Sequence, residues 1–198
     1  MVMATLSIGY GFTEVERAQV GALYWEAFGR KLRAAFGDDA TGATQVTAAL
    51  RADRMLVARI AGEAVGVCGY YHDGRGAAEL SWRQLRERLT PSAALRALLV
   101  LAPLDHRPSR GVLVLDGICV GVAHRGHGIG SALLATAVEH GQRHNAQWVQ
   151  LSVVDTNARA EALYRRSGFR VVGEGSLGGL GRLYGFERYK TMRKRVTQ

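Results

Sequence analysis

Lysine is scarce in this chain. It occurs only at 31, 190 and 194, although Lys and Arg together number 26 against 17 Asp and Glu. The formal net charge of +9 is therefore almost wholly arginine charge, scattered except for Arg193-Lys194-Arg195 near the end. Such an excess points either to a polyanionic partner or simply to an arginine-rich composition. No dense basic block and no RNP, KH or helix-turn-helix pattern is present, which argues against a nucleic-acid-binding module. Long apolar runs are missing too. The best, ALRALLVLAPL (94–104), is far too short to cross a bilayer. The opening MVMATLSIGYGF has no basic region ahead of an apolar stretch, so no secretory leader is expected. Cysteine is limited to Cys68 and Cys119, each inside an apolar strand-like run. They read as buried thiols in a reducing compartment, and a cytoplasmic protein is expected. Neither an internal repeat nor a low-complexity linker divides the chain.

The 198 residues, 47% of them apolar, at a mean hydropathy of −0.04, are enough for one domain (1–198) with a core that needs no staples. Residues 4–12 read as a first strand. Thr13 and Glu16 have capping-box spacing ahead of a helix whose stripe is Val20, Leu23, Tyr24, Ala27, Phe28 and Leu32, ending near Gly37. A short helix over 42–51 follows. RMLVARI (54–60) and AVGVCGYY (64–71) predict a hairpin. Residues 72–110 lack strand character and carry two helical patterns: Trp82, Leu85, Leu89, then Leu95, Leu98, Leu99, Ala102. Thr90 and Pro91 start the second of these. GVLVLDGICV (111–120) predicts a central strand buried on both faces. A helix over 128–143, a strand over 146–154 and a helix over 157–167 stopped by Gly168 come next. FRVVG (169–173) and LYGFERYKTMRK (183–194) predict two last strands around a glycine-rich loop, 173–181. The order implies a mixed α/β fold, of the α+β kind: one sheet of about seven strands flanked by helices, with a helical insert (72–110) between the third and fourth strands.

RGHGIGSALL (125–134) places Gly126, Gly128 and Gly130 where a helix must begin. Glycine loses more freedom than any other residue on folding, so the bare backbone has a purpose there. The first amides of a helix lack internal partners and the dipole favours negative charge, so a strand, a glycine-rich loop and a helix start together make an anion site. A Walker loop would need a lysine that is absent. The dinucleotide pattern G-x-G-x-x-G fails on spacing, with Ser131 or Leu133 where its last glycine should stand.

The pattern [RQ]-x-x-G-x-[GA] does fit, on Arg125, Gly128 and Gly130. Downstream, N-x-x-A-x-x-L-Y-x-x-x-G-F fits on Asn157, Ala160, Leu163, Tyr164, Gly168 and Phe169. In these two motifs, and closely over 111–174, the chain resembles the GNAT superfamily of GCN5-related N-acetyltransferases. The resemblance implies a mostly antiparallel mixed sheet, and acetyl transfer from acetyl-CoA to a primary amine by direct attack. It implies that the amides of Gly126, His127, Gly128, Ile129, Gly130 and Ser131, with Arg125 nearby, hold the pyrophosphate. The backbone of Ile118, Cys119 and Val120 would pair with the pantetheine arm. Tyr164 falls on the general-acid tyrosine; its alternative role is an aromatic plug under the sheet. Asn157 would touch the CoA arm, cap its helix, or do both.

Asp116 falls where an amine-activating base stands; a paired structural carboxylate is the alternative. Glu79 and Asp105 are reserve bases. Cys119 lacks a basic partner in the sequence and is disfavoured as a nucleophile. His124 and His127 have no third ligand, so no metal is expected. The acceptor is expected to be a small-molecule or peptide amine, with no membrane or nucleic-acid partner. Residues 75–105 are expected to wall the acceptor pocket, a homodimer interface being the alternative. A non-catalytic acyl-CoA sensor is the rival reading of the whole.

Overall fold

A computed structural model describes residues 5–102 and 111–196. In chain order the elements are β1 (Leu6–Tyr10), α1 (Arg17–Phe36), α2 (Asp39–Ala49), β2 (Met55–Ile60), β3 (Glu63–Tyr71), α3 (Trp82–Arg86), α4 (Pro91–Leu101), β4 (Val112–Val120), α5 (Ile129–Arg143), β5 (Trp148–Val154), α6 (Ala158–Arg166), β6 (Arg170–Ser176), α7 (Gly181–Tyr184) and β7 (Arg188–Arg195). The seven strands make one sheet in the order β1-β2-β3-β4-β5-β7-β6. Five neighbouring pairs are antiparallel and only β4–β5 is parallel. Parallel neighbours need a long crossover, and α5 provides it.

Local chemistry accounts for the element ends. The β2–β3 turn is Ala61-Gly62, both at positive φ, as a two-residue hairpin turn matched to strand twist requires. Asp38 caps α2 by accepting from the Thr41 amide, and Thr90 caps α4 by accepting from Ala93 with Pro91 next to it. Thr13 and Glu16 do make their reciprocal bonds, Thr13 N to Glu16 Oε2 at 2.8 Å and Glu16 N to Thr13 Oγ1 at 3.4 Å. These close a turn, however, and regular helix begins only at Arg17. Arg59 reaches the same Glu16 carboxylate at 2.6 Å and holds its pKa down at about 2.

Two cores lie on opposite faces of the sheet. On one, α5 and α6 bury Leu133, Leu134, Ala137 and Tyr164 against Leu56, Leu113, Leu115 and Leu151. On the other, α1, α2 and the insert bury Val20, Tyr24, Val46, Leu85, Ala94 and Ala97 against Met55, Val57 and Val67. The insert therefore belongs to the fold, and the predicted stripes hold in part: Leu85 is buried, and Leu89 and Leu98 pack against the core. Trp82, Leu95 and Leu99 are exposed, and α4 buries the small side chains Ala94 and Ala97 instead. Alanines let α4 approach α1 closely, and Leu95 and Leu99 are left outside. The last strand also begins later than expected: Leu183 and Tyr184 belong to α7, and β7 starts at Arg188. Tyr184 is buried and donates its hydroxyl to the Val100 carbonyl at 2.6 Å, which ties α7 to α4.

Among the described residues two side chains carry buried polar atoms without a hydrogen-bond partner, Arg54 at Nε and His140 at both ring nitrogens. His140 of α5 is 5% exposed, and neither ring nitrogen has a hydrogen-bond partner. Its ring packs on Tyr70 at 4.5 Å and on His144 at 4.1 Å between centroids. Burial, then the nearby His144, His72, Arg143 and Arg54, push its pKa down to about 4. An unfolded chain would titrate this imidazole near 6.5, so between those values the unfolded state binds more protons. Stability contributed by neutral His140 is complete above about pH 6.5 and is lost as the pH falls towards 4. Urea unfolding at pH 7.5 and 5.0 should show the native protein weakening at the lower pH, and His140→Leu should flatten that slope. Equal slopes for the two proteins would remove His140 from the account.

Candidate active site

The site grows out of an irregularity in β4. In the β3–β4 ladder Gly69 pairs with Gly117 and Tyr70 with Leu115, so Asp116 is an extra, bulged residue. The bulge sends Asp116 and Gly117 to the same face, that of α1. A side chain at Gly117 could not stand there, because its Cβ would lie 1.9 Å from the Phe28 ring. Phe28 packs over the bare backbone, with Tyr24 stacked beside it at 4.6 Å.

Just at this level β4 parts from β5. Their parallel pairing runs from Val112–Trp148 to Leu115–Leu151 and stops. Beyond it β4 stays with β3 as far as Val120, and β5 stays with β7 as far as Val154. The two strands thus form a fork. Gly121 donates its amide to Val65 of β3, and the Cys119 carbonyl lies against Gly66 of β3. Backbone direction alternates along a strand, so Ile118 and Val120 turn their polar groups into the fork while Cys119 turns away from it. The Cys119 thiol is buried in the α1-side core, and burial pushes its pKa up to about 12, far from a reactive thiolate.

The fork opens onto the glycine loop. Gly126 and Gly128 adopt φ of +85° and +77°, a left-handed conformation that favours glycine, and no protein atom crowds either one. Gly130 serves packing instead: a Cβ there would lie 3.2 Å from Leu163 of α6. Ala132 is the first amide of α5 to find its helical acceptor, on Gly128, which leaves the amides of Ile129, Gly130 and Ser131 without one in the helix. His127 and Ser131 are exposed and Ile129 is buried beneath them. Arg125 fastens the loop. Its Nε donates to the Val120 carbonyl at 2.9 Å and its Nη2 to Glu26 of α1 at 2.5 Å.

Tyr164 and Asp116 stand on opposite faces of the sheet. Tyr164 is buried between α5 and α6 beside Phe169, and burial raises its pKa above the ordinary phenol range, so it stays protonated. Asn157 caps α6 by accepting from the Ala160 amide at 3.1 Å. Across the sheet, Asp116 Oδ2 accepts from the Ala77 amide of the insert at 2.9 Å. The Asp116 charge is felt by Tyr24 and by Cys68, and Cys68 in turn lies near Tyr164. A cavity of about 820 Å³ adjoins Asp116, lined also by Tyr24 and Phe28 of α1, Tyr71 of β3, and Leu80 and Leu98 of the insert. Glu79 lines it as well, held by Arg51 at 2.9 Å. Asp105 lies outside the described residues. Among those residues no group of three His, Cys, Asp or Glu side chains could hold a metal ion, and no helix is long and apolar enough to cross a membrane.

The sequence pattern places Tyr24 and Phe28 in a core stripe but does not reveal them as cavity walls. The available signal is Gly117, a glycine within an apolar strand next to an acid, which marks a bulge or a close backbone approach.

Comparison with known proteins agrees with this fold. No curated protein has a matching sequence. Among solved structures the chain is similar to one described as an acetyltransferase, at 20% identity, covering 96% of this chain and 100% of that one, with a TM-score of 0.64. It is similar to a GCN5-related N-acetyltransferase from Kribbella flavida (19% identity, 96% and 97% covered, TM-score 0.61). A third is a ribosomal-protein-alanine N-acetyltransferase from Brucella melitensis (21% identity, 96% and 99% covered, TM-score 0.60). At these identities the likeness concerns the fold. The family model described as acetyltransferase (GNAT) family matches residues 18–169, which takes in α1, the bulged strand, the glycine loop and Tyr164, and the chain belongs to that family.

Proposed function

We propose that this chain moves the acetyl group of acetyl-CoA to a primary amine by direct attack, as a cytoplasmic enzyme. The observation that carries this is the meeting of two features: a glycine loop whose helix-start amides lack helical partners, and a forked pair of strands opening onto it. The loop suits a pyrophosphate. The fork suits an amide-bearing arm, which Ile118 and Val120 would pair as an added strand does. An amide at the fork is also placed to stabilise negative charge developing on an acetyl oxygen.

The two faces then divide the proton chemistry. Asp116, on the cavity side, takes a proton from the incoming ammonium so that the nitrogen lone pair is free. The nitrogen bonds to the acetyl carbon, the carbon–sulfur bond breaks, and the nitrogen sheds its second proton to water as the amide forms. Tyr164, on the other face, donates a proton to the departing sulfur. Its raised pKa keeps the phenol protonated at neutral pH, so that its proton is at hand for the sulfur while the carbon–sulfur bond breaks, and the phenolate then recovers a proton from water. Arg125 contributes by holding the loop to β4 and α1, and Asn157 by fixing the start of α6 beneath the arm.

Ser131→Glu tests the loop. A carboxylate in the first turn suits the helix dipole, so stability should hold or rise slightly. Acetyl-CoA affinity, read by calorimetry, should fall about tenfold or more through like-charge repulsion. Unchanged affinity would remove the loop as the pyrophosphate site.

Tyr164→Phe should lower kcat by about a hundredfold while leaving acetyl-CoA affinity in place. An intact kcat would make Tyr164 a packing residue only. Asp116→Asn should move the pH–rate profile to higher pH, because more of the amine must then arrive already neutral. A profile that keeps its position would assign the carboxylate to holding Ala77 and nothing more.

A further inference from the structure

The cavity beside Asp116 narrows the acceptor further. Its lining comes from α1, α2, β3, β4 and the insert, and its large apolar members are Phe28, Leu32, Val46, Leu80, Leu98 and Leu101. Its polar lining is mostly engaged elsewhere. Ser81 and Gln84 satisfy each other at the start of α3, with Ser81 N and Oγ both donating to Gln84 Oε1, at 2.9 and 2.8 Å. Glu79 is paired with Arg51. What remains beside these paired groups is Asp116 with the rings of Tyr24 and Tyr71, and the hydrocarbon of Phe28, Leu32, Leu98 and Leu101.

From this lining, and resting on the acetyltransferase reading above, we infer that the acceptor is a primary amine carried on an apolar alkyl or aryl body. The ammonium sits at the Asp116 end and the body lies between Phe28, Leu32 and Leu98. A volume of about 820 Å³ is that of a site for a drug-sized ligand, more than a bare short amine fills. A polyamine or an amino sugar would bring several cations or hydroxyls into these walls, each needing a partner that the hydrocarbon does not offer. An extended peptide would bring backbone amides to Ser81 and Gln84, which already bond one another. Asp116 suffices for a single polar head.

The experiment is steady-state kinetics of the full chain with acetyl-CoA and four amines: hexylamine, 2-phenylethylamine, spermidine and a short peptide with a free N-terminal alanine. The two apolar amines should give kcat/KM at least about tenfold above the other two. Leu98→Lys, at a half-buried position on α4, sets a cation in the apolar wall and should raise KM for the apolar amines about tenfold. Leu98→Met should stay near the native value. If Leu98→Lys fails to fold, as judged by its melting curve, Leu32→Gln on the facing wall gives the same readout. Equal or better use of spermidine or the peptide, or a KM indifferent to the wall variants, would overturn the apolar acceptor and leave acetyl transfer standing. Tight acetyl-CoA binding with no amine of the four acetylated would overturn acetyl transfer, and the acceptor with it.

Discussion

The contact of Phe28 with the bare backbone of Gly117 is the constraint on which the site depends. A bulge in β4 inserts Asp116 and turns two successive residues to one face. Only because the second is glycine can α1 lie close enough for Phe28 to cover it. That closeness sets Tyr24 and Phe28 beside the carboxylate and makes the floor of the cavity. The same bulge is where β4 leaves β5, since a bulged strand bends and the parallel ladder ends at Leu115 and Leu151. Fork and cavity therefore share one local origin, and they open at the same level of the sheet.

A sheet with a fork has a second useful property: it is a wall with a door in it. The α5–α6 face carries the glycine-loop helix start and the protonated Tyr164. The α1–insert face carries Asp116 and the apolar cavity. Two reactants can approach from opposite sides and meet in the gap, without competing for one pocket. The insert takes part in this arrangement from its first residues. Ala77 and Glu79 bond to the backbone of Arg51 and Ala49 at the end of α2, and the Ala77 amide reaches Asp116. At its far side Val100 receives the Tyr184 hydroxyl. The insert's side of the cavity is thus fastened to α2, to β4 and to the segment between β6 and β7, three places distant in sequence.

How much of this is legible in the sequence follows from the range of the interactions involved. The hairpin, the caps at Thr90 and Asn157, the central strand and the glycine loop are specified by neighbours a few residues apart, and reading them needs no partner. The facing of α4 is different. Its leucines carry the stronger apolar pattern, yet Ala94 and Ala97 are the buried ones, because α1 comes too near for larger side chains. Arg125 is readable as part of a motif, but Glu26, ninety-nine residues away, is not readable as its partner. The same holds for Cys119: its place in the strand is evident, while its backbone direction depends on which neighbour, β3 or β5, it is bonded to. Leu183 and Tyr184 look like strand residues and form a helical turn, since Tyr184 finds its acceptor on α4.

Net charge gives a misleading impression of what such a site can receive. A basic chain is an uncomfortable host for a cation only if its arginines face the cation. Here many face carboxylates. Arg17 pairs with Glu14, Arg33 with Asp39, Arg59 with Glu16, Arg143 with Glu139 and Arg165 with Glu161. These pairs are mostly exposed and add little stability one by one, and solvent screens them over about a Debye length. The field inside a half-enclosed apolar cavity is set by the few charges on its lining, where screening is weaker. Among the described residues those charges are carboxylates, Asp116 and an arginine-paired Glu79. The local potential therefore favours an ammonium at the Asp116 end, whatever the sum over the whole surface.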